Sequence, residues 1–202
     1  MKILFVSLGC DKNLVDTEFM IGALREQGHT FTNEEEEAEA IIINSCCFIN
    51  DAKEESVNTI LEMAEYKDAG SCKALIVAGC LAERYREEIC KEIPQVDAVI
   101  GTNSFSEIAA ALAEVSQGRD YRLFRPLEGL PELKSGRSLT TGGHYAHLKI
   151  AEGCNKNCQY CIIPKIRGRY RSVPMEELLA QAKELAAQGV RELILVAQET
   201  TL

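Results

Sequence analysis

The sequence predicts an α/β protein: an open parallel sheet covered by helices, followed by the first β-loop-α-β unit of a larger α/β barrel. Three observations carry this. Apolar runs such as Ile41-Ile42-Ile43 and residues 74–78 lack the polar alternation of a half-exposed strand, so both faces of the sheet must be covered. Amphipathic helical stretches separate these runs, as parallel crossovers require. A stretch holding Pro126, Gly129, Pro131, Gly136, Gly142 and Gly143 then breaks the periodicity before a strand–helix–strand pattern resumes.

The elements follow in order. Residues 2–7 form an apolar strand. Residues 14–27 form a helix that stops at Gly28, a residue suited to the left-handed C′ position. A weak strand at 29–32 precedes the buried-type strand 40–44. A helix at 52–67 sets Val57, Ile60, Leu61 and Ala64 on one face, the i, i+3, i+4, i+7 pattern. Strand 74–78 leads into a helix striped by Leu81, Tyr85 and Ile89, and 98–100 is the next strand. Ser104 and Glu107 have the spacing of a capping box ahead of a helix carrying Phe105, Ile108, Leu112 and Val115. Residues 121–143 are expected to be a linker. After it come strand 147–150, a cysteine-bearing loop, a helix and strand 193–197. Met175, Leu178, Leu179, Ala182, Leu185 and Ala186 define that helix, with Pro174 in its first turn and Gly189 at its end. The expected division is 1–120, a linker at 121–143, and 144–202. Two strands cannot close a barrel, so the last unit is expected to be incomplete and the protein truncated at its C-terminus.

Bulk properties narrow the class. A protein of 202 residues is long enough to bury a real core, and a net charge of −9 argues against a generally basic nucleic-acid surface. No apolar run approaches the ~20 residues that cross a bilayer, and the N-terminus lacks a signal-peptide pattern. A cytoplasmic protein with no membrane contact is expected. Nine cysteines in such a setting do not form a disulfide framework, and an odd number cannot pair completely.

Cys154, Cys158 and Cys161 are the most informative residues, spaced C-x3-C-x2-C. Structural zinc favours paired C-x2-C knuckles, and no second knuckle follows Cys161. Three thiolates at this spacing suit three irons of a 4Fe–4S cluster and leave the fourth without a protein ligand. An open iron can act on a substrate, whereas a fully ligated cluster mainly carries electrons. Three further cysteines, Cys10, Cys46 and Cys80, each lie just past the carboxyl end of a predicted parallel strand, the edge where open α/β sheets bind ligands. Gly9 and Gly79 precede two of them and permit tight turns. Each alone reads first as a buried free thiol; their common placement suggests a second ligand set. Cys47 adjoins Cys46 and stays open as its alternative. Cys72 and Cys90 have no such placement and read as ordinary thiols.

The segments Ser7-Leu8-Gly9-Cys10-Asp11-Lys12-Asn13-Leu14-Val15-Asp16, Ile43-Asn44-Ser45-Cys46 and Gly79-Cys80-Leu81-Ala82-Glu83-Arg84-Tyr85 resemble the N-terminal domain of the methylthiotransferases. The stretch from His144 through Cys154 and from Ile163 to Ser172 resembles their radical S-adenosylmethionine domain. Leu8, Lys12-Asn13 and Ala197-Gln198-Glu199-Thr200-Thr201 are similar to the RimO type, whereas the tRNA-modifying MiaB type usually carries Gln-Met-Asn after its first cysteine.

The resemblance implies two 4Fe–4S clusters. Cys154, Cys158 and Cys161 would hold the one that cleaves S-adenosylmethionine to a 5′-deoxyadenosyl radical. Cys10, Cys46 and Cys80 would hold an auxiliary cluster that presents the sulfur. It further implies methylthiolation at the β-carbon of an aspartate in a small-subunit ribosomal protein, with a reducing donor such as flavodoxin or ferredoxin. Tyr160 would lie near the adenine; its alternative is a packed aromatic. A tRNA adenosine substrate and, for these 202 residues alone, a non-catalytic iron–sulfur protein are the competing expectations. By themselves these residues are expected to be inactive. Lys156, Lys165, Arg167, Arg169 and Arg171 form a basic stretch that reads either as a solvated or salt-bridged loop or as contacts to a carboxylate or phosphate. The run Glu34–Glu37 reads as solvated surface, and neither His144 nor His147 is assigned a catalytic role.

Overall fold

The computed structural model describes residues 1–133 and 135–201. Lys134, inside the expected linker, and Leu202, at the end of the expected barrel unit, lie outside the described residues.

The first part of the protein forms a six-stranded parallel sheet. Its strands are β1 (Lys2–Ser7), β2 (Thr30–Thr32), β3 (Ala40–Ser45), β4 (Ala74–Gly79), β5 (Ala98–Ile100) and β6 (Tyr121–Leu123), in the order β2-β1-β3-β4-β5-β6. Helices α1 (Asp11–Glu26), α2 (Asn50–Asp68), α3 (Cys80–Arg84), α4 (Arg86–Glu92) and α5 (Ile108–Val115) connect them. Alternate strand residues enter two separate cores. Ile3, Ile42, Ile76 and Ile100 pack with Val15, Met20 and Leu24 of α1 and Ile108 and Leu112 of α5. Ile41, Ile43, Leu75, Val77 and Val99 pack with Ile60 and Met63 of α2, Leu81 of α3 and Ile89 of α4. Every residue of β3 and β4 is buried, which is why these runs show no alternation. The strand order reverses beside β1, because the backbone steps outward to β2 and then crosses back to β3. The loops leaving the carboxyl ends of β1 and β3 therefore run in opposite directions and open a crevice between them.

Four local features depart from the pattern. Helix α1 begins at Asp11, directly after Cys10, rather than at residue 14. The stripe Leu81, Tyr85, Ile89 spans two helices, because the backbone breaks at Tyr85 (φ −121°, ψ 43°) between α3 and α4. The capping box does not form. Ser104 Oγ instead accepts the Arg125 amide at 2.9 Å and Glu107 takes the Arg125 guanidinium at 2.6 Å, so the segment opens as a 3-10 turn, Phe105–Glu107. Tyr121–Leu123, placed by the sequence in the linker, pairs with β5 as the edge strand; three residues are too few to display a period. Gly28 takes φ +83° at the end of α1, as its position predicts.

The second part contains β7 (Tyr145–Lys149), β8 (Ala151–Glu152), α6 (Ile163–Ile166), β9 (Arg171–Ser172), α7 (Met175–Ala187) and β10 (Glu192–Val196). Strands β7 and β10 are parallel, with Leu148 opposite Leu195. Leu185 of α7 and Val190 after it cover Ala146 and Leu148. Leu193, Ile194 and Leu195 of β10 remain exposed, Leu195 to 57%. Strands β8 and β9 pair antiparallel and close the base of the cysteine loop. Among the described residues no helix is long and apolar enough to cross a membrane.

The segment between the two parts lies along α1. The Gly136 amide donates to Glu26 Oε1 at 2.9 Å and the Ser138 amide to the Glu18 carbonyl at 3.1 Å. Gly22 of α1 makes this approach possible, since a Cβ there would stand 1.9 Å from the Gly136 carbonyl oxygen. Gly22→Ala should therefore destabilise by ~1–3 kcal/mol through overpacking, despite the ~1 kcal/mol that alanine gains in a helix. Urea unfolding should show the loss, and limited proteolysis should cut residues 135–143 faster than in the parent.

Candidate metal centre

Strands β1, β3 and β4 are neighbours, so the residues at their carboxyl ends meet. Cys10 caps the start of α1, Cys46 follows β3 directly, and Cys80 opens α3. Gly9 and Gly79 hold the left-handed backbone at φ +93° and +91°. A Cβ on Gly9 would stand 2.8 Å from Cys46 Sγ, and one on Gly79 would stand 2.3 Å from Asn44 Oδ1. Neither turn admits a side chain. Asn13, fully buried, ties the loops together: its Nδ2 donates to the Leu8 and Ser45 carbonyls, each at 3.0 Å. Its Oδ1 stands 3.8 Å from Cys80 Sγ.

The two adjacent cysteines part here. Cys46 is anchored through its backbone to the Ser56 hydroxyl of α2 and turns its thiol into the crevice. Cys47 faces the apolar core and donates to the Cys80 carbonyl at 3.2 Å. Burial, with Cys80 next in effect, pushes its thiol up to about 12. Cys72 is likewise buried and donates to the Ala74 carbonyl at 3.1 Å.

The second triplet is shaped by the short β8–β9 pair. Gly153 takes φ +71°, and a Cβ there would stand 2.2 Å from the Arg169 carbonyl oxygen. The Cys154 amide donates to the Gly168 carbonyl at 3.1 Å, so the loop folds back on itself. Cys154 is buried, Cys161 half-buried and Cys158 exposed.

Both triplets face one space. A cavity of about 510 Å³ between the two parts is lined by Cys10, Cys46, Cys80, Cys154, Cys158 and Cys161, and by Lys12, Arg167 and Gln198. Cys47, Cys72 and Cys90 do not line it. Among the described residues no three His, Cys, Asp or Glu side groups converge on a point that would hold a single metal ion. A multi-iron cluster does not ask for that convergence, because each thiolate binds a different iron. Two sets of three thiols around a cavity, with glycines where a Cβ would intrude, fit such a donor set. Tyr160 stands apart: its ring is 90% exposed and lines an outer groove with Phe48 and Ile49, beside Cys158 and Cys161.

What holds the two triplets together was not legible in the motifs. Lys149 of β7 and Arg167 are buried against Asp16 of α1 and Glu152 of β8. Lys149 Nζ donates to both carboxylates, and Arg167 Nη1 reaches Asp16 Oδ2 at 2.9 Å and Glu152 Oε1 at 3.3 Å. Arg167 Nη2 also donates to Asn13 Oδ1. Burial opposes the charges of Lys149, Glu152 and Arg167, and their opposite-sign neighbours more than offset it. Asp16 and Glu152 keep the Lys149 ammonium above its ordinary range, and Lys149 and Arg167 pull the Glu152 carboxyl down to about 2. A second contact joins fully buried Glu18 to Arg137, at 2.6 Å, and to the Thr140 amide at 2.7 Å. The one available signal was Lys149 itself, a charge on a short strand with an apolar pattern. The basic stretch divides accordingly: Arg167 joins this network, Lys156 pairs with Glu199, Arg171 donates to the carbonyls of Arg167 and Arg169, and Lys165 and Arg169 are exposed.

Residues 2–101 match the family model described as uncharacterized protein family UPF0004, and residues 148–202 match the radical SAM superfamily. Over all of its length the chain is 60% identical to the ribosomal protein uS12 methylthiotransferase RimO of Lachnoclostridium phytofermentans, covering 46% of that protein. It is 49% identical to the protein of the same name from Pelotomaculum thermopropionicum and 47% identical to that from Clostridioides difficile, covering 100% of this chain and 45% of each relative. The chain spans about half the length of these curated relatives. It belongs to the radical S-adenosylmethionine methylthiotransferase family, RimO type.

Removing one member of a buried charge set leaves an uncompensated ion. Lys149→Met should cost ~3–5 kcal/mol in urea unfolding. The double variant Lys149→Met/Glu152→Gln leaves Arg167 facing Asp16 in balance and should recover much of that loss.

Proposed function

We propose that this protein supplies the cluster-binding part of a methylthiotransferase that inserts sulfur and a methyl group at the β-carbon of an aspartate in the small-subunit ribosomal protein uS12. The observation that carries this reading is the single cavity lined by six thiols from two structural units. In it, Cys154, Cys158 and Cys161 would hold one 4Fe–4S cluster, and Cys10, Cys46 and Cys80 would hold the other. When bound, the clusters and S-adenosylmethionine supply the one-electron chemistry, the sulfur and the methyl group that acid–base side groups cannot provide.

The protein's own residues set the geometry. Asn13 and the glycine turns at Gly9 and Gly79 fix the first thiol set, and Gly153 with the β8–β9 pair fixes the second. The Lys149–Asp16–Arg167–Glu152 network keeps the two thiol sets around one space, so that clusters held there would share access to one substrate. Tyr160, in the outer groove beside Cys158 and Cys161, would border the adenine of the cofactor; its neighbourhood to two thiols of that set supports this reading. The sheet unit, which ends with β6, and residues 144–202 act as two units joined by 124–143. The protein works in the cytoplasm with a reducing donor such as flavodoxin or ferredoxin.

Anaerobic reconstitution of the full-length protein should give about eight irons per molecule, and about four after Cys10, Cys46 and Cys80 all become alanine. Cys47→Ala should leave the iron content unchanged. Incubation with uS12, S-adenosylmethionine and a reductant should add the mass of one methylthio group to the protein. An iron content near four that ignores the triple substitution, or a mass gain on tRNA in place of uS12, would overturn the reading.

A further inference from the structure

The cavity holds polar groups that the protein does not satisfy by itself. The Oε1 and Nε2 atoms of Gln198 are both shielded from solvent and have no hydrogen-bond partner among the described residues, although Gln198 lines the cavity wall. Buried polar atoms in this state take their partner from water or from a ligand, and at a cavity wall both are within reach.

The charged residues of the same wall are Lys12, Lys156, Arg167 and Glu199. Lys156 pairs with Glu199, and Arg167 is engaged by Asp16, Glu152 and Asn13. The Lys12 ammonium has no ion-pair or hydrogen-bond partner among the described residues. Its neighbour Asp11 turns away, toward His147 Nε2 at 3.7 Å. Lys12 also occupies the first turn of α1, where the helix dipole is positive and a cation is disfavoured. A cation in that position, free of any internal partner and facing a cavity, is suited to an anion brought from outside.

We propose that Lys12 binds the β-carboxylate of the substrate aspartate and thereby selects an acidic residue over its amide. Gln198, offering one donor and one acceptor, is matched to a peptide group of the same segment. This assignment rests on the methylthiotransferase reading of the site. A carboxylate is the expected partner because an ammonium leaving water regains most from a full opposite charge, whereas the neutral amide of asparagine returns much less.

The test uses the full-length protein with both clusters reconstituted, and fluorescence anisotropy of two labelled uS12 peptides that differ only in aspartate or asparagine at the target. The parent should bind the aspartyl peptide roughly ten- to a hundredfold more tightly. Lys12→Met and Lys12→Gln should bring that ratio close to one, and Lys12→Arg should retain most of it; iron content equal to the parent's identifies intact variants. If the parent discriminates and both neutral variants discriminate equally well, Lys12 is not the determinant, even though the substrate reading stands. A parent that does not discriminate would overturn the aspartate reading itself, and this proposal with it.

Discussion

Four buried charges, Lys149 and Arg167 against Asp16 and Glu152, tie one structural unit to the other. The partners are far apart in sequence, by 133 residues for Lys149 and Asp16 and by 151 for Arg167 and Asp16. The set is balanced, two cations against two anions, and each cation donates to both carboxylates. That sharing is what allows ions out of water, because an isolated pair seldom repays its desolvation. Together with the Glu18–Arg137 contact and with Ile166 buried in the core of the sheet, the network fixes the sheet edge that carries Cys10, Cys46 and Cys80 against the loop that carries Cys154, Cys158 and Cys161.

Helix α1 is the element on which these constraints meet. Its inner face is apolar and belongs to the sheet core through Val15, Met20 and Leu24. Asn13, Asp16 and Glu18 of the same helix, all buried, reach the strand-end loops, the second unit and the connecting segment. Cys10 and Lys12 stand at its start. One helix therefore carries a thiol, the hub that links the strand-end loops, the charge partners of β7 and the cation proposed to meet the substrate. A shift of α1 would displace all of these together, so the close seat of Gly136 on Gly22 matters beyond local packing.

The arrangement also separates positions that look alike in the sequence. Cys46 and Cys47 are adjacent, but one thiol enters the cavity while the other is held in an apolar core. Arg167 and Arg169 differ by two residues, but one is enclosed by carboxylates and the other is exposed. The direction each residue faces at these places follows from the loop path, which in turn follows from the glycine turns beside them.

The sequence by itself determined what depends on local pattern. Unalternated apolar runs specified a sheet buried on both faces, helical stripes specified its covering, and cysteines just beyond strand ends marked the edge where they would gather. Even the resemblance to the methylthiotransferases rested on short contiguous motifs. Local pattern failed where the decisive partner is distant or the element too short: the capping pair Ser104 and Glu107 was taken by Arg125, and β6 was hidden in the apparent linker. Only the tertiary structure decided that both cysteine sets line one cavity, that Cys46 rather than Cys47 faces it, and that Asp16, Glu18, Lys149 and Glu152 are interior residues. Their charges carry no periodic signature; their value comes from pairing across the fold, and that pairing exists only once burial has removed water as the alternative partner.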